Sequence, residues 1–227
     1  KFGRFVTNKT MRNIIGQPKS AFDFREAMDS KKIILCNLSK GILGEEDAKF
    51  LGLILVPKVL TAAMSRQNTA MENRPDFFLY VDEFQNFATE DFAVILSEAR
   101  KYRLNLIVAN QYISQIDEEV KNAVFGNVGT MVSFRIGVTD ANFLQHEFVP
   151  VFNETDLSNI EKYHVYIKTI VNNEPVPPFS MSLEKDMDAQ NALRNPKLAE
   201  MIRQLSRLKY GVDKAQIEAE IKVRANL

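Results

Sequence analysis

Short apolar runs separated by amphipathic stretches set the pattern of residues 32–137. The runs that have the composition of buried strands are residues 32–37, 77–81, 104–109 and 130–137. Each is compact and rich in β-branched or aromatic side chains, as strands buried on both faces are. Strands that alternate with helical stretches predict βαβ units. The pattern therefore predicts an α/β fold, with a mostly parallel sheet covered by helices on both faces.

Two of the helices, 45–66 and 90–102, are predicted from stretches that begin with acids and end with bases, an order that suits the helix dipole. Residues 45–66 begin with three acids and end with an arginine, although Pro57 should kink or split this helix. Further helices are predicted at residues 90–102, 113–127 and 139–148. Thr139 is the expected cap of the last of these.

The pattern changes after the fourth apolar run. A strand at residues 164–171, an Asn172-Asn173 turn and a proline-rich return to Leu183 predict an antiparallel hairpin at the sheet edge. The polar stretch that follows predicts two amphipathic helices, broken at Tyr210-Gly211. The expected segments are a lead-in at 1–31, an α/β core with its hairpin at 32–183 and a helical tail at 184–227.

Composition and charge narrow the function only slightly. The formal net charge is +0, so no global basic field indicates nucleic-acid binding, although a local basic channel stays possible. The single cysteine, Cys36, cannot form an internal disulfide, which fits a reducing cytoplasmic setting. No apolar run approaches the roughly 18 residues of a membrane span. The chain opens with Lys1 in mid-pattern, so we expect a fragment of a longer protein.

The strongest chemical signal follows the second run. Two acids, Asp82 and Glu83, directly follow the run Phe77–Val81. Acids just after a parallel strand lie at its carboxyl end, where open α/β sheets bind ligands. This is the Walker B pattern, in which the aspartate holds the Mg²⁺ of a bound nucleotide and the glutamate polarises the attacking water. A strand end followed by a solvated, helix-capping acidic pair is the plainer alternative, and the motif alone leaves both open.

Polar residues also follow other predicted strands. Asn110 and Gln111 follow the third run, and the Ser39-Lys40 loop follows the first. Because the carboxyl ends of parallel strands meet at one edge of a sheet, Gln111 should face Asp82 and Glu83. There its amide would contact the γ-phosphate or the attacking water. The alternative is that Gln111 is a helix cap or an ordinary loop residue.

Two arginines are candidates for stabilising negative charge. Arg100, at the end of the predicted helix 90–102, would be an arginine finger that reaches a neighbouring subunit's nucleotide. Its plainer role is to compensate the helix dipole. Arg135, at the end of the fourth run, is a second candidate for nucleotide binding, or is simply paired with a carboxylate. No further metal-ligand cluster is recognisable beyond Asp82 and Glu83.

A phosphate-binding loop is missing from the pattern. The motif GxxxxGK[ST] does not occur, and the stretches GQPKS from Gly16 and SKGILGEED from Ser39 do not have its spacing. Without this loop there is no amide cradle and no lysine for the phosphates. The chain alone is therefore expected to bind ATP poorly or not at all. Either the loop lies upstream of Lys1, or the chain is a degenerate ATPase.

Three stretches in order carry a family resemblance: LYVDEFQNFAT, SEARKYRLNLIVANQYISQI and GNVGTMVSFRIG. Together they resemble the C-terminal half of the HerA/FtsK-class motor ATPases. The resemblance is greatest to the conjugative coupling proteins of type IV secretion, the TraG/TraD type, and it covers residues 12–183. It implies a RecA-like fold of the P-loop NTPase class, present here as a partial domain without the phosphate loop.

The resemblance implies part of a hexameric, ATP-driven DNA translocase with ATP and Mg²⁺ as cofactors. Carried over by position, Asp82 would be the Mg²⁺-linked acid and Glu83 the catalytic glutamate. Gln111 would be the γ-phosphate sensor and Arg100 the finger that acts between subunits.

The resemblance also implies partners and a location. DNA would be held in a central pore, mainly by contacts to its backbone. The other implied partners are further copies in a homo-hexamer and the relaxosome and secretion-channel proteins. An N-terminal segment would attach the whole protein to the inner membrane, with this part on the cytoplasmic side. The alternatives are a HerA-like cytosolic DNA helicase or translocase, and a catalytically inactive RecA-like domain on which relaxosome proteins dock.

Overall fold

The computed structural model describes residues 7–89 and 98–225, together with residues 3, 92 and 96. Its α-helices are α1 Lys9–Ile15, α2 Phe24–Asp29, α3 Lys40–Leu43, α4 Glu45–Met64, α5 Glu118–Asn127, α6 Val138–Phe148, α7 Glu154–Ser158, α8 Met187–Ala192, α9 Pro196–Tyr210 and α10 Lys214–Arg224. Its strands are β1 Phe77–Val81, β2 Leu104–Val108, β3 Met131–Ser133, β4 His164–Val171 and β5 Glu174–Ser182.

The chain divides into two compact units. The first comprises Lys1–Leu79, Ala99–Ile107 and Asn195–Leu227. The second comprises Tyr80–Glu98 and Val108–Arg194.

Strands β1 and β2 form a parallel pair, which confirms the predicted α/β class. The Phe77 N–H donates to the Arg103 carbonyl, and the Ala109 N–H donates to the Val81 carbonyl, each at 2.9 Å. Both strands therefore run in the same direction, and their carboxyl ends lie side by side.

Only one face of β1 is buried, so the prediction of a strand buried on both faces is wrong. Phe78 and Tyr80 are 54% and 72% exposed, whereas Val81 is 7% exposed. Alternate side chains of a strand lie on opposite faces, and the face that carries Phe78 and Tyr80 is open to solvent in the described structure. The aromatic composition indicated a strand correctly but could not reveal which layers cover it.

Residues 32–37 do not form the predicted strand. The segment has no assigned secondary structure, and none of the described strands pairs with it. Ile33 and Leu35 are 88% and 89% exposed. Apolar composition favours a strand only where a neighbour supplies hydrogen bonds and packing. The Ser39-Lys40 loop therefore does not follow a strand, and Lys40 instead forms an ion pair with Glu45 at 2.9 Å.

Helix α4 is continuous through Pro57, so a split of the helix at this proline is wrong, and the alternative of a kink stays a prediction. Proline removes one backbone hydrogen bond, but Leu51, Val56 and Val59 around it are buried and favour an unbroken helix. With the 3₁₀ turn that follows, Glu45–Asn68 is long and apolar enough to cross a membrane by length and composition. A core helix of a soluble protein passes the same test, and this helix buries side chains within the first unit.

Arg66 is the buried polar centre of the first unit. Its side chain is 0% exposed, and its Nε lies 3.1 Å from Asp29 Oδ1. Its Nη1 donates to the carbonyls of Pro75 and Tyr102, at 3.0 and 3.1 Å. Burial lowers the pKa of the Arg66 guanidinium, while the Asp29 carboxylate opposes this shift. The side chain thus joins α2 to the segments that lead into β1 and β2.

The helical tail has the predicted break, because α9 ends at Tyr210 and Gly211 follows as its cap. Helix α10 contacts α1, and its Ile217 is 4% exposed. At the same contact, Asn13 Nδ2 donates to Glu218 Oε1 at 3.2 Å. This contact holds the last described helix against the first one in the same unit.

The second unit contains an antiparallel sheet with the strand order β3-β4-β5. The predicted hairpin is confirmed, with Asn172 and Asn173 between β4 and β5 at φ values of 52° and 64°. Asparagine tolerates this left-handed region better than most residues. The predicted fourth parallel strand is wrong: β3 is shorter than residues 130–137 and pairs antiparallel with β4. An apolar run has the same composition in either kind of sheet.

Helices α6 and α7 enclose the apolar core of the second unit. Its buried residues are Ile113, Ala141, Leu144, Phe148, Leu157 and Ile160.

Helix α6 begins at Val138 after Gly137, so Thr139 is not its cap. The predicted helix 113–127 is present as a 3₁₀ turn, Ile113–Gln115, followed by α5. Of the predicted helix 90–102, the structure describes Ala99–Tyr102 as a 3₁₀ turn, and most of the remainder lies outside the described residues.

Candidate active site

The chain turns sharply where β1 ends. Glu83 has φ 51° and ψ 45°, a left-handed conformation that costs a residue with a Cβ roughly 1–2 kcal/mol. The Phe84 N–H donates to the Ala109 carbonyl at 2.9 Å, so the backbone contact with the segment after β2 continues past the turn. Phe84 is fully buried and packs edge-to-face on Phe92, with ring centroids 4.7 Å apart. This anchor holds Glu83 in the unfavourable conformation, and such strain is common at functional sites.

The Glu83 carboxylate accepts an amide hydrogen bond on each of its two oxygens. Gln111 Nε2 donates to Oε1 at 2.5 Å, and Gln85 Nε2 donates to Oε2 at 2.5 Å. Gln111 follows β2 and Gln85 lies in the turn after β1. The structure therefore brings Glu83 and Gln111 together, as the alignment of strand ends predicts.

Gln85 is a contact that sequence reasoning missed. Its Oε1 is buried and has no hydrogen-bond partner. The available signal was its position two residues after Glu83. Two residues at that spacing share a face only on an extended strand, and here the chain turns, so the spacing alone does not predict the contact. The left-handed conformation of Glu83 is what brings the Gln85 amide to the carboxylate, and Walker B composition does not predict that conformation.

Asp82 is exposed beside this carboxylate. Its Oδ1 accepts the Glu83 N–H at 3.0 Å. Mg²⁺ in nucleotide sites is commonly held by one or two carboxylates, with waters and phosphate oxygens completing the octahedron. The described residues contain no group of three or more His, Cys, Asp or Glu side chains that could hold a metal ion. Asp82 could supply one such carboxylate oxygen to a magnesium ion.

The two candidate arginines lie in different units. Arg100 is exposed in the 3₁₀ turn Ala99–Tyr102 of the first unit, and its role stays a prediction. Arg135 is exposed after β3 in the second unit. Because β3 belongs to the antiparallel sheet, Arg135 does not follow a strand of the parallel pair as predicted.

An oriented carboxylate beside an exposed acid can perform two kinds of chemistry. Glu83 is partly exposed, so a water molecule can approach a carboxylate whose direction is fixed by Gln85 and Gln111. A positioned carboxylate can accept a proton from such a water, and geometry is the first requirement for this role. Asp82 adds an oxygen ligand suited to a hard cation.

Residues 76–146 match the family model described as the TraM recognition site of TraD and TraG. This segment is of the TraG/TraD type. It contains the whole Asp82–Glu83 turn as well as Gln111 and Arg135, which places the candidate residues of the second unit inside the matched region. Comparison with curated protein sequences found no match.

Solved structures of the plasmid coupling protein TrwB share the fold of this chain. The complex with the non-hydrolysable GTP analogue GDPNP is 17% identical, with a TM-score of 0.58, over 81% of this chain and 48% of that chain. The complex with ADP and Mg²⁺ and the trigonal form with sulphate give the same values. The chain thus spans about half the length of these structures, and the likeness confirms the predicted RecA-like partial domain.

Proposed function

We propose that this TraG/TraD-type chain is the hydrolytic part of an ATP-driven DNA translocase that serves conjugative DNA transfer. The observation that carries the proposal is the Glu83 carboxylate, which two amides orient at the end of a parallel strand. A strained residue with a fixed carboxylate is difficult to explain as a solvated capping acid, because capping requires neither the strain nor the second amide.

The residues would divide the work as follows. Glu83 would accept a proton from the attacking water, and Gln111 would report the state of the γ-phosphate to the second strand. Asp82 would bind the magnesium ion, which supplies charge neutralisation for phosphoryl transfer when it is bound with ATP. Arg100 would stabilise charge at the site of a neighbouring subunit, and Arg135 is a second candidate for contact with the nucleotide.

The proposed partners follow from the same assignment. The working form would be a homo-hexamer with DNA in its pore, held through the phosphate backbone. Relaxosome and secretion-channel proteins would deliver and receive the DNA, and other parts of the protein would attach it to the cytoplasmic side of the inner membrane. The relaxosome contact is supported by the match of residues 76–146 to a TraM recognition site.

The test measures ATP hydrolysis, with and without DNA, in a polypeptide that joins this chain to a phosphate loop. We expect Glu83→Gln to lower turnover by roughly 10²–10⁴-fold, the usual contribution of a general base, with nucleotide binding retained. The matched control is Glu119→Gln, an exposed glutamate in α5, which should leave turnover unchanged. Parental turnover in Glu83→Gln would remove Glu83 from the chemistry.

The role of Arg100 needs a separate experiment. Arg100→Ala should abolish turnover, and mixing it with Glu83→Gln subunits should partly restore activity. Rescue requires that one subunit supply the arginine and its neighbour the intact glutamate. Equal mixing without rescue would show that Arg100 does not act between subunits.

A second candidate function is a docking domain for relaxosome proteins without hydrolysis. The description of the matched family as a TraM recognition site favours it. It predicts that the chain binds a TraM-like protein and that Glu83→Gln leaves this binding unchanged. The absence of any ATP hydrolysis in the polypeptide with a phosphate loop, together with such binding, would favour docking over hydrolysis.

A further inference from the structure

Helix α9 presents an apolar stripe to solvent. The stripe consists of Leu198, Met201, Ile202, Leu205 and Leu208. Their spacing of three and four residues places them on one face of the helix. Their exposure ranges from 50% for Leu198 to 84% for Leu208, and no residue of α9 is buried in the described structure. A helix with this pattern normally buries its apolar face against something.

The charge of α9 indicates what covers the stripe. The basic residues of the helix are Lys197, Arg203, Arg207 and Lys209, and its acid is Glu200. Glu200 is paired with Arg203 at 3.1 Å within the helix. Lys197 and Lys209 lie at the two ends of the stripe, where their aliphatic stems can extend along an apolar surface while the ammonium groups stay in a polar layer.

A second copy of the chain is a poor occupant. Leu198, Met201, Leu205 and Leu208 follow heptad spacing, but α9 has 15 residues, about two heptads. Coiled coils need this spacing over about three or four heptads. In addition, Lys197 and Lys209 flank the heptad positions, where interhelical charge pairs normally set partner choice. Two copies would place lysines in these flanking positions without matching acids from α9.

An anionic lipid surface accounts for both the exposed apolar stripe and the excess of basic residues on α9. A helix with aliphatic residues on one face and lysine and arginine on the other lies in the membrane interface, with the apolar face at the boundary of headgroups and acyl chains. Each lysine or arginine near an anionic surface adds attraction that salt screens. Lys197 and Lys209 lie nearest a surface that the stripe enters. Arg203 and Arg207 lie on the opposite face, one helix diameter (roughly 10 Å) away, which is comparable to the Debye length.

We propose that α9 is an interfacial membrane-binding helix, with its apolar stripe inserted in an anionic leaflet. Ile202 and Leu205 lie at the middle of the stripe, and Lys197 and Lys209 would lie at headgroup level. This contact is peripheral and reversible, because a single short amphipathic helix does not span a bilayer. It does not depend on the nucleotide chemistry proposed for Glu83.

The test is co-sedimentation of the 227-residue chain with phospholipid vesicles. We expect binding to vesicles of phosphatidylglycerol and phosphatidylcholine, and weaker binding to phosphatidylcholine alone. The double variant Ile202→Ser/Leu205→Ser should lower the affinity for the anionic vesicles by about tenfold or more, since it removes the inserted face. Arg203→Glu/Arg207→Glu should lower it by a similar factor and reduce its salt dependence.

The matched control is Val223→Ser on α10, where a valine that is 76% exposed lies outside the stripe. It should bind anionic vesicles as the parent does. Far-UV circular dichroism establishes that each variant keeps its helices, so a loss of binding is not a loss of fold. The α9 variants should retain parental helicity, because no residue of α9 is buried.

Three results would overturn the proposal. The first is no binding to anionic vesicles by the parent chain. The second is binding that survives Ile202→Ser/Leu205→Ser, which would show charge attraction without insertion. The third is dimerisation in sedimentation velocity that this double variant abolishes while vesicle binding is absent, which would assign the stripe to a second copy.

Discussion

Gln111 Nε2 donates to Glu83 Oε1 at 2.5 Å, although 28 residues separate the two positions in the chain. The contact exists because β1 and β2 run parallel and end side by side. Gln85 holds the other carboxylate oxygen from within the turn. The direction of the Glu83 carboxylate is therefore fixed by residues on both strand ends, and disturbing either amide should be measurable in the folded chain.

Replacing the Gln111 amide with a carboxylate should destabilise the chain. Gln111→Glu places a second negative charge beside Glu83, and we expect a loss of roughly 1 kcal/mol in the free energy of unfolding, as for close charges in a solvated setting. Gln111→Ala should lose less, about 0.5–1 kcal/mol, because it removes a hydrogen bond without adding repulsion. Urea unfolding measures both values.

The control for this pair is Gln115→Glu, an exposed glutamine in the 3₁₀ turn after β2. It should change stability by less than about 0.5 kcal/mol, as surface substitutions do. Raising the salt concentration should reduce the difference in the free energy of unfolding between Gln111→Glu and Gln111→Ala, because salt screens the repulsion between the two carboxylates. Equal stability of Gln111→Glu and the parent would contradict the contact.

Removing the Arg66 side chain should be among the most damaging single changes in the first unit. Arg66→Met removes the ion pair with Asp29, which keeps its contact with Arg25, and leaves the carbonyls of Pro75 and Tyr102 without their buried donor. We expect a loss of roughly 2–4 kcal/mol, since several hydrogen bonds are lost together. Lys58→Met, an exposed site on α4, is the matched control and should change the free energy of unfolding by less than about 0.5 kcal/mol.

The hairpin turn should respond oppositely to glycine and alanine. Asn173 has φ 64°, so Asn173→Gly should keep or raise stability, whereas Asn173→Ala should lower it by roughly 1 kcal/mol. The same substitutions at Ser206, exposed within α9, should rank in the reverse order, because glycine is about 1 kcal/mol worse than alanine inside a helix. Thermal unfolding monitored by circular dichroism compares the four variants. The same order at both sites would contradict a left-handed Asn173.

The contact between α10 and α1 should depend on pH. The hydrogen bond from Asn13 lowers the pKa of Glu218 from its ordinary 4.5. A carboxyl with a lower pKa in the folded state contributes stability above pH 4.5 and loses it as the pH falls through the folded value. Asn13→Ala should return the pKa of Glu218 toward 4.5, as measured by a ¹³C NMR titration of the side-chain carboxyl.

Asn191→Ala on α8 is the control for this titration. It replaces an exposed asparagine that makes no described contact with Glu218, so the Glu218 resonance should titrate as in the parent. If Asn13→Ala also left the titration unchanged, the hydrogen bond from Asn13 would not be the cause of the lowered pKa.

Local signals in the sequence predicted the parts of the fold that local interactions determine. The Asn172-Asn173 turn and the break after Tyr210 both depend on backbone preferences of a few residues, and both are present. The parallel pair β1–β2 was also predictable, because each strand is a compact apolar run that ends in polar residues. The adjacency of Glu83 and Gln111 followed from that pairing alone.

The predictions from sequence were wrong where contacts between residues distant in the chain determine the local structure. Residues 32–37 have the composition of a strand, but no described strand pairs with them. Strand β3 pairs antiparallel with β4 instead of joining a parallel sheet. Buried side chains on both sides of Pro57 favour a continuous α4. In the site, the Gln85 contact depends on the positive φ of Glu83, which no composition rule assigns to a glutamate. Tertiary packing determines each of these features.

Residues 32–37 carry a practical consequence for handling the chain. Ile33 and Leu35, each almost nine-tenths exposed, alternate along a segment that has no assigned secondary structure and that no described strand covers. Such a segment is a template for pairing with the same segment of another molecule, which is how open strand edges start aggregation. Samples should therefore precipitate as concentration rises, and a lysine at position 33 or 35 should improve their solubility.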